Sequence, residues 1–218
     1  FSKNNSALYT PFYAVTSGNW NSVIACETLV KEMYNTKKGL ADPRYYYYFT
    51  KPLGAPTQLF KSNLDAFLAK NVSAAGNSKV GRYPNGNSGQ IGNLKNADRY
   101  ALMNYSELLF IFAEAGQRGW LNISYPVVKK IYLEAVTESA LEWNTTESAG
   151  SEDMTKFIGI LSDEIEADNA LEKILTQKWV SMFWVGIESW CDYRRTGYPV
   201  LKTNGEAADN NYILPTRR

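Results

Sequence analysis

Between Asn104 and Gly119 the chain carries apolar residues at almost every angular position of a helix: Leu108, Leu109, Phe110, Ile111, Phe112, Ala113 and Ala115. This run predicts a helix over Tyr105–Arg118, buried on nearly all sides, with Gly119 as its stop. A helix of that kind folds only if other elements cover it, and the residues that follow supply them. Tyr125–Trp143 has a helical period, with Pro126 in the first turn and Val128, Ile131, Tyr132, Ala135, Val136 and Leu141 as the inner face. Further helices are expected over Asp153–Leu161, Asn169–Trp184 and Ile187–Arg195. Gly186 is expected to kink or end the second of these, and Gly197-Tyr198-Pro199 to stop the third. A polar stretch separates residues 143 and 153, and residues 200–218 are expected as coil.

Before Asn104 the pattern is weaker. Residues 1–18 are irregular, and a helix is expected over Trp20–Asn35, ended by Lys37-Lys38-Gly39. Four consecutive tyrosines and Phe49 give Tyr45–Thr50 a strand-like composition. Residues 51–99 hold many Gly and Pro breakers, with one short helix expected around Ser62–Lys70. A connection that long in a compact domain is usually functional or mobile.

Composition narrows the chemistry. The 218 residues contain no His, so Ser-His-Asp and Cys-His catalysis and His-ligated zinc are excluded. No metal site and no cofactor are expected. A net charge of +1 argues against a nucleic-acid partner, which calls for an excess of Lys and Arg. Aromatic residues make up 14%, far from a disordered composition. No apolar run is long enough to span a bilayer as a helix. Fifteen Tyr, six Trp and 19 Asn supply flat faces and amide groups of the kind sugar-binding surfaces use, although Asn and Tyr richness also follows from genome composition. Cys26 and Cys191 lie among apolar neighbours and are expected as buried free thiols.

Four constellations could carry chemistry. Glu107 and Glu114 lie two turns apart on one helix, with Arg118 a turn further. Seven residues of helix separate them by about 10 Å, too far for a retaining glycosidase pair, so buried pairing with an arginine is the expected role. Glu188, Asp192, Arg194 and Arg195 surround Trp190 at ion-pair spacing. Trp179, Phe183 and Trp184 are expected as core packing first and a ligand platform second. In the loop, Arg82-Tyr83-Pro84-Asn85-Gly86-Asn87 lacks the glycine spacing of a phosphate cradle but offers a stacking face beside two amides. Trp20 follows Gly18-Asn19 at a loop-to-helix junction, where a ring can face outwards. Trp20, Tyr83, Asn85 and Asn87 are therefore the expected ligand contacts.

Within the second helix, Val128-x3-Tyr132-x2-Ala135-Val136 has the spacing of the second helix of a tetratricopeptide-type repeat. No second copy follows at a fixed period, which points to helix pairs rather than a solenoid. Tyr105-Ser106-Glu107-Leu108-Leu109-Phe110, Ala113-Glu114-Ala115 and Arg118-Gly119-Trp120 resemble a stretch characteristic of the SusD/RagB family, the glycan-binding surface lipoproteins of the Bacteroidetes outer membrane. Ile174-Leu175-Thr176-Gln177-Lys178-Trp179 and the segment Glu188–Pro199 extend the resemblance, as do Asp42-Pro43-Arg44 and Pro215-Thr216-Arg217-Arg218. It is specific over residues 100–218 and looser over 1–99. The matching strings are helix-packing motifs, and no family binding residue carries over.

The resemblance implies an all-α SusD-like fold with tetratricopeptide-like helix pairs, long loops and minor β. It implies that residues 1–218 are one fragment of a larger domain, with a loop-rich part over 1–99 and a helical part over 100–218. It implies non-catalytic binding of an oligosaccharide or polysaccharide and delivery to a SusC-type TonB-dependent transporter. Membrane attachment would be through a lipid anchor not present in this fragment. Two other readings stay open: a glycoside hydrolase using Glu107, Glu114 or Glu188, and a tetratricopeptide-like scaffold that binds protein.

Overall fold

The computed structural model describes residues 27–35, 40–48, 103–142, 152–183 and 185–201. These residues divide between two compact units: 27–31 with 44–48, and 32–35 and 40–43 with everything from 103 onward. The elements are α1 (Glu27–Met33), β1 (Tyr34–Asn35), β2 (Leu40–Ala41), α2 (Tyr45–Tyr48), α3 (Tyr105–Gln117), α4 (Tyr125–Leu141), α5 (Glu152–Glu164), α6 (Ala170–Ser181) and α7 (Gly186–Thr196). The fold is all-α, with one two-stranded antiparallel ladder pairing Tyr34 with Ala41 and Asn35 with Leu40.

Two expectations for the first half are corrected. The helix at residue 27 ends at Met33, because Tyr34 and Asn35 leave it to form β1. The Met33 carbonyl then accepts from the Asp42 backbone N–H at 2.7 Å, so the ladder satisfies the helix end. Tyr45–Tyr48 forms a helical turn and no strand, with the Tyr48 N–H donating to the Arg44 carbonyl at 2.9 Å. Tyrosine's strand preference reflects the fit of a half-buried pleat. Here Tyr45 and Tyr48 are both buried, and a spacing of three puts them on one side of a turn. The short helix expected around residues 62–70 lies outside the described residues.

The larger unit is built on the α3–α4 hairpin. Phe110, Ala113, Val128, Tyr132, Ala135 and Val136 form its buried seam, with the Phe110 and Tyr132 rings edge-to-face at 6.5 Å. These α4 residues are the ones whose spacing matches a tetratricopeptide helix. Gly116 permits the close approach: a Cβ there would lie 2.5 Å from Ile123 Cδ1 and 2.8 Å from Val128 Cγ2. α6 packs on α3 and α4, α5 packs on α4, and α7 packs on α6. Met154, Phe157 and Leu161 of α5, with Ile165, Ala170 and Ile174, complete the core.

Side chains fix the connections. At the open end of the hairpin, Asn104 Nδ2 donates to Glu142 Oε2 at 2.8 Å and the Ser106 hydroxyl donates to Glu142 Oε1. This carboxylate also sits where the α3 dipole favours negative charge. The α5–α6 turn is held by Asn169, whose Oδ1 accepts from Glu166 N–H and whose Nδ2 donates to the Glu164 carbonyl. The Tyr125 hydroxyl donates to the Ile165 carbonyl at 2.9 Å, and Gln117 Nε2 to the Ala167 carbonyl at 2.8 Å. α6 ends at Ser181, earlier than expected, and Gly186 opens α7 where a kink or stop was expected. α5 runs one turn beyond Leu161. Gly197, at φ 80°, ends α7 in the left-handed region.

α3 is less enclosed than its composition suggests. Leu109, Phe110 and Ala113 are buried, whereas Tyr105, Leu108, Ile111 and Phe112 are exposed. Cys191 is an exposed free thiol on α7, against the expectation of burial; its helix turns it away from the core face that carries Tyr193. Cys26 lies outside the described residues.

Candidate functional site

The charged residues singled out in the sequence converge on one seam where α3, α6 and α7 meet. Glu114 is 4% exposed, and both of its oxygens are taken by guanidinium groups. Arg118 Nε donates to Oε1 at 2.7 Å, Arg195 Nη1 donates to the same oxygen, and Arg195 Nη2 donates to Oε2 at 2.8 Å. Burial alone would raise this carboxyl, but the Arg195 and Arg118 contacts outweigh it and hold the group below the usual carboxylate range. Glu114 in turn holds Arg195 firmly protonated. Arg195 continues the chain to Asp192 at 2.8 Å, and Asp192 pairs with the buried Lys178 Nζ at 2.7 Å.

Glu107 is buried and behaves in the opposite way. Burial raises its carboxyl, Lys178 draws it down, and Glu188 and Asp192 push it up again. The backbone N–H of Asn104, the residue at the start of α3, lowers it slightly. Asn104 and Glu107 stand at the two ends of a capping-box spacing. Glu188 and Arg194 are exposed on α7.

Chemically, this seam clamps. A general acid needs a carboxyl that can exchange its proton with a substrate. Glu114 has no unshared oxygen. Lys178 was missed as a functional position because nothing local marks it: its partner lies fourteen residues on, across a helix boundary. Among the described residues, no group of three or more His, Cys, Asp or Glu is placed to hold a metal.

The expected ligand contacts Trp20, Tyr83, Asn85 and Asn87 all lie outside the described residues, as does Trp184. Trp179 and Phe183 are partly buried. Trp190, 39% exposed, stacks on the buried Tyr193 with ring centroids 5.7 Å apart. The most exposed of the described tryptophans is Trp120, with Arg118 lying 5.4 Å from its ring centroid.

A family model for SusD-like proteins, described as starch-binding and associating with the outer membrane, matches residues 2–218. The chain belongs to the SusD-like family. No curated protein matches it. The match covers both the helical part, where the resemblance was specific, and the part before residue 100, where it was loose. The family description ties such chains to starch binding and to the outer membrane. No described helix is long and apolar enough to cross a membrane.

Proposed function

We propose that this SusD-like chain binds an oligosaccharide at the bacterial cell surface without cleaving it and passes it to a SusC-type TonB-dependent transporter. The observation that carries the reading is the family match over residues 2–218. The state of one carboxylate supports it. Glu114 is locked between two arginines, so it is not arranged to protonate a glycosidic oxygen. Within this reading the chain is a surface lipoprotein, and Trp20, Tyr83, Asn85 and Asn87 are contacts to the sugar.

The test is calorimetric titration of the chain with maltoheptaose, followed by chromatography of the recovered sugar. Saturable binding and intact maltoheptaose are expected. Release of shorter sugars would sink the non-catalytic reading and return attention to Glu188. Pull-down of a SusC-type barrel by the tagged chain from outer-membrane extracts tests the transporter step.

A further inference from the structure

We infer that Trp120 is a stacking platform for the sugar rings of a starch-type glucan, held in place by the end of α3. The inference rests on the binding reading above. In sequence, Arg118-Gly119-Trp120 looks like a packing motif, yet packing does not claim the indole: Trp120 is 69% exposed. A single exposed ring is ordinary on a protein surface; what sets this one apart is that it stands on an ordered helix ending with a guanidinium over one face.

The ring is presented by a rigid support. α3 ends in a Schellman arrangement, in which the Trp120 N–H donates to the Ala115 carbonyl at 2.9 Å and the Gly119 N–H to the Gly116 carbonyl at 3.0 Å. Gly119 supplies the left-handed residue this ending requires, at φ 72°. The Leu121 N–H also reaches the Ala115 carbonyl, so the backbone is pinned on both sides of the tryptophan. Beneath one face of the indole lies Arg118, at cation–π distance. Arg118 is itself fixed by Glu114, and Glu114 by Arg195. The charged seam therefore ends at this ring.

That construction suits a pyranose. The guanidinium lies over one face of the indole, and the residue as a whole is largely exposed. The C–H face of a sugar packs flat on an aromatic ring, whose quadrupole attracts the slightly positive hydrogens. Only one of the five donors of Arg118 is used on Glu114, which leaves N–H groups beside the ring for sugar hydroxyls. A ring immobilised before binding also lowers the ordering cost of the complex.

The experiment uses the whole chain and maltoheptaose. Trp120 is exposed, so Trp120→Ala is expected to keep the wild-type urea midpoint and to weaken binding roughly two- to twelvefold, the range that about 0.5–1.5 kcal/mol of aromatic contact implies. Trp120→Tyr is expected to recover most of the affinity. In a spectrum of the six tryptophan indole N–H groups, the resonance lost in Trp120→Tyr is the one expected to move as maltoheptaose is added to the wild type. If the wild type binds while Trp120→Ala binds equally well and that resonance stays still, the platform is refuted and the binding reading stands. If the wild type does not bind maltoheptaose, both fall together.

Discussion

Glu107 and Glu114 share a helix and are both buried, but their surroundings set them to opposite tasks. Glu114 has its folded-state pKa lowered from 4.5, so the stability it confers is present above 4.5 and is lost as pH falls through the lowered value. Glu114→Gln is expected to cost about 2–3 kcal/mol at pH 7. That is less than the 3–5 kcal/mol of a fully buried pair, because the Arg195 side chain is 44% exposed. Urea titrations at pH 7 and pH 3 check it, and the cost should shrink at pH 3. Glu107 has its folded pKa raised, so its contribution is best below 4.5 and declines as pH rises through the raised value. Glu107→Gln removes a charge that burial disfavours, and its urea midpoint is expected to equal or exceed the wild type at pH 7. A clear loss there would mean that attraction to Lys178 outweighs burial. The pairing of Glu114 was legible in the sequence, since Arg118 stands one turn away on an apolar helix. The second arginine was not: Arg195 is 81 residues distant, and no periodicity connects it to Glu114.

The α3–α4 hairpin shows which properties of an element its own sequence reveals. The periods of Val128, Tyr132, Ala135 and Val136 placed the buried seam correctly, because helix geometry alone decides which residues share a face. The apolar surround of α3 misled, since composition records that a face is apolar and not whether anything covers it. Leu108, Ile111 and Phe112 are the result. Tyr34–Asn35 and Tyr45–Tyr48 were misread for a related reason: in pieces of two to four residues, tertiary pairing outweighs propensity. Gly116 tests the closeness of the hairpin. Adding a methyl there improves helix propensity by up to about 1 kcal/mol but drives a Cβ into Val128, whose β-branched side chain has little rotamer freedom on a helix. A net loss of about 1 kcal/mol is expected for Gly116→Ala by thermal denaturation, and a gain would show that Ile123 and Val128 yield freely. Tyr125→Phe removes the bond from α4 to the α5–α6 turn and is expected to cost about 1 kcal/mol.

For the molecule as a whole, fold class was readable from the second half of the sequence, where five long helical segments leave room for little else. The candidate contacts Trp20, Tyr83, Asn85 and Asn87 came from residue chemistry in loops, which has no period to locate it, and so they rest on the binding experiments alone. Binding acts on the folded state as a unit: maltoheptaose at one hundred times its dissociation constant is expected to stabilise the chain by about 2.7 kcal/mol. Differential scanning calorimetry with and without the sugar measures this, and an unshifted transition at saturating sugar would contradict the binding reading.

The bonds from Asn104 and Ser106 to Glu142 give the hairpin a further property. They bring the point where the chain enters α3 beside the point where it leaves α4, so the pair of helices is a cassette with one doorway. Length added to the chain just before residue 104 or just after residue 142 therefore enters and leaves at one place, and is expected to leave the hairpin seam and the turn that carries Trp120 undisturbed.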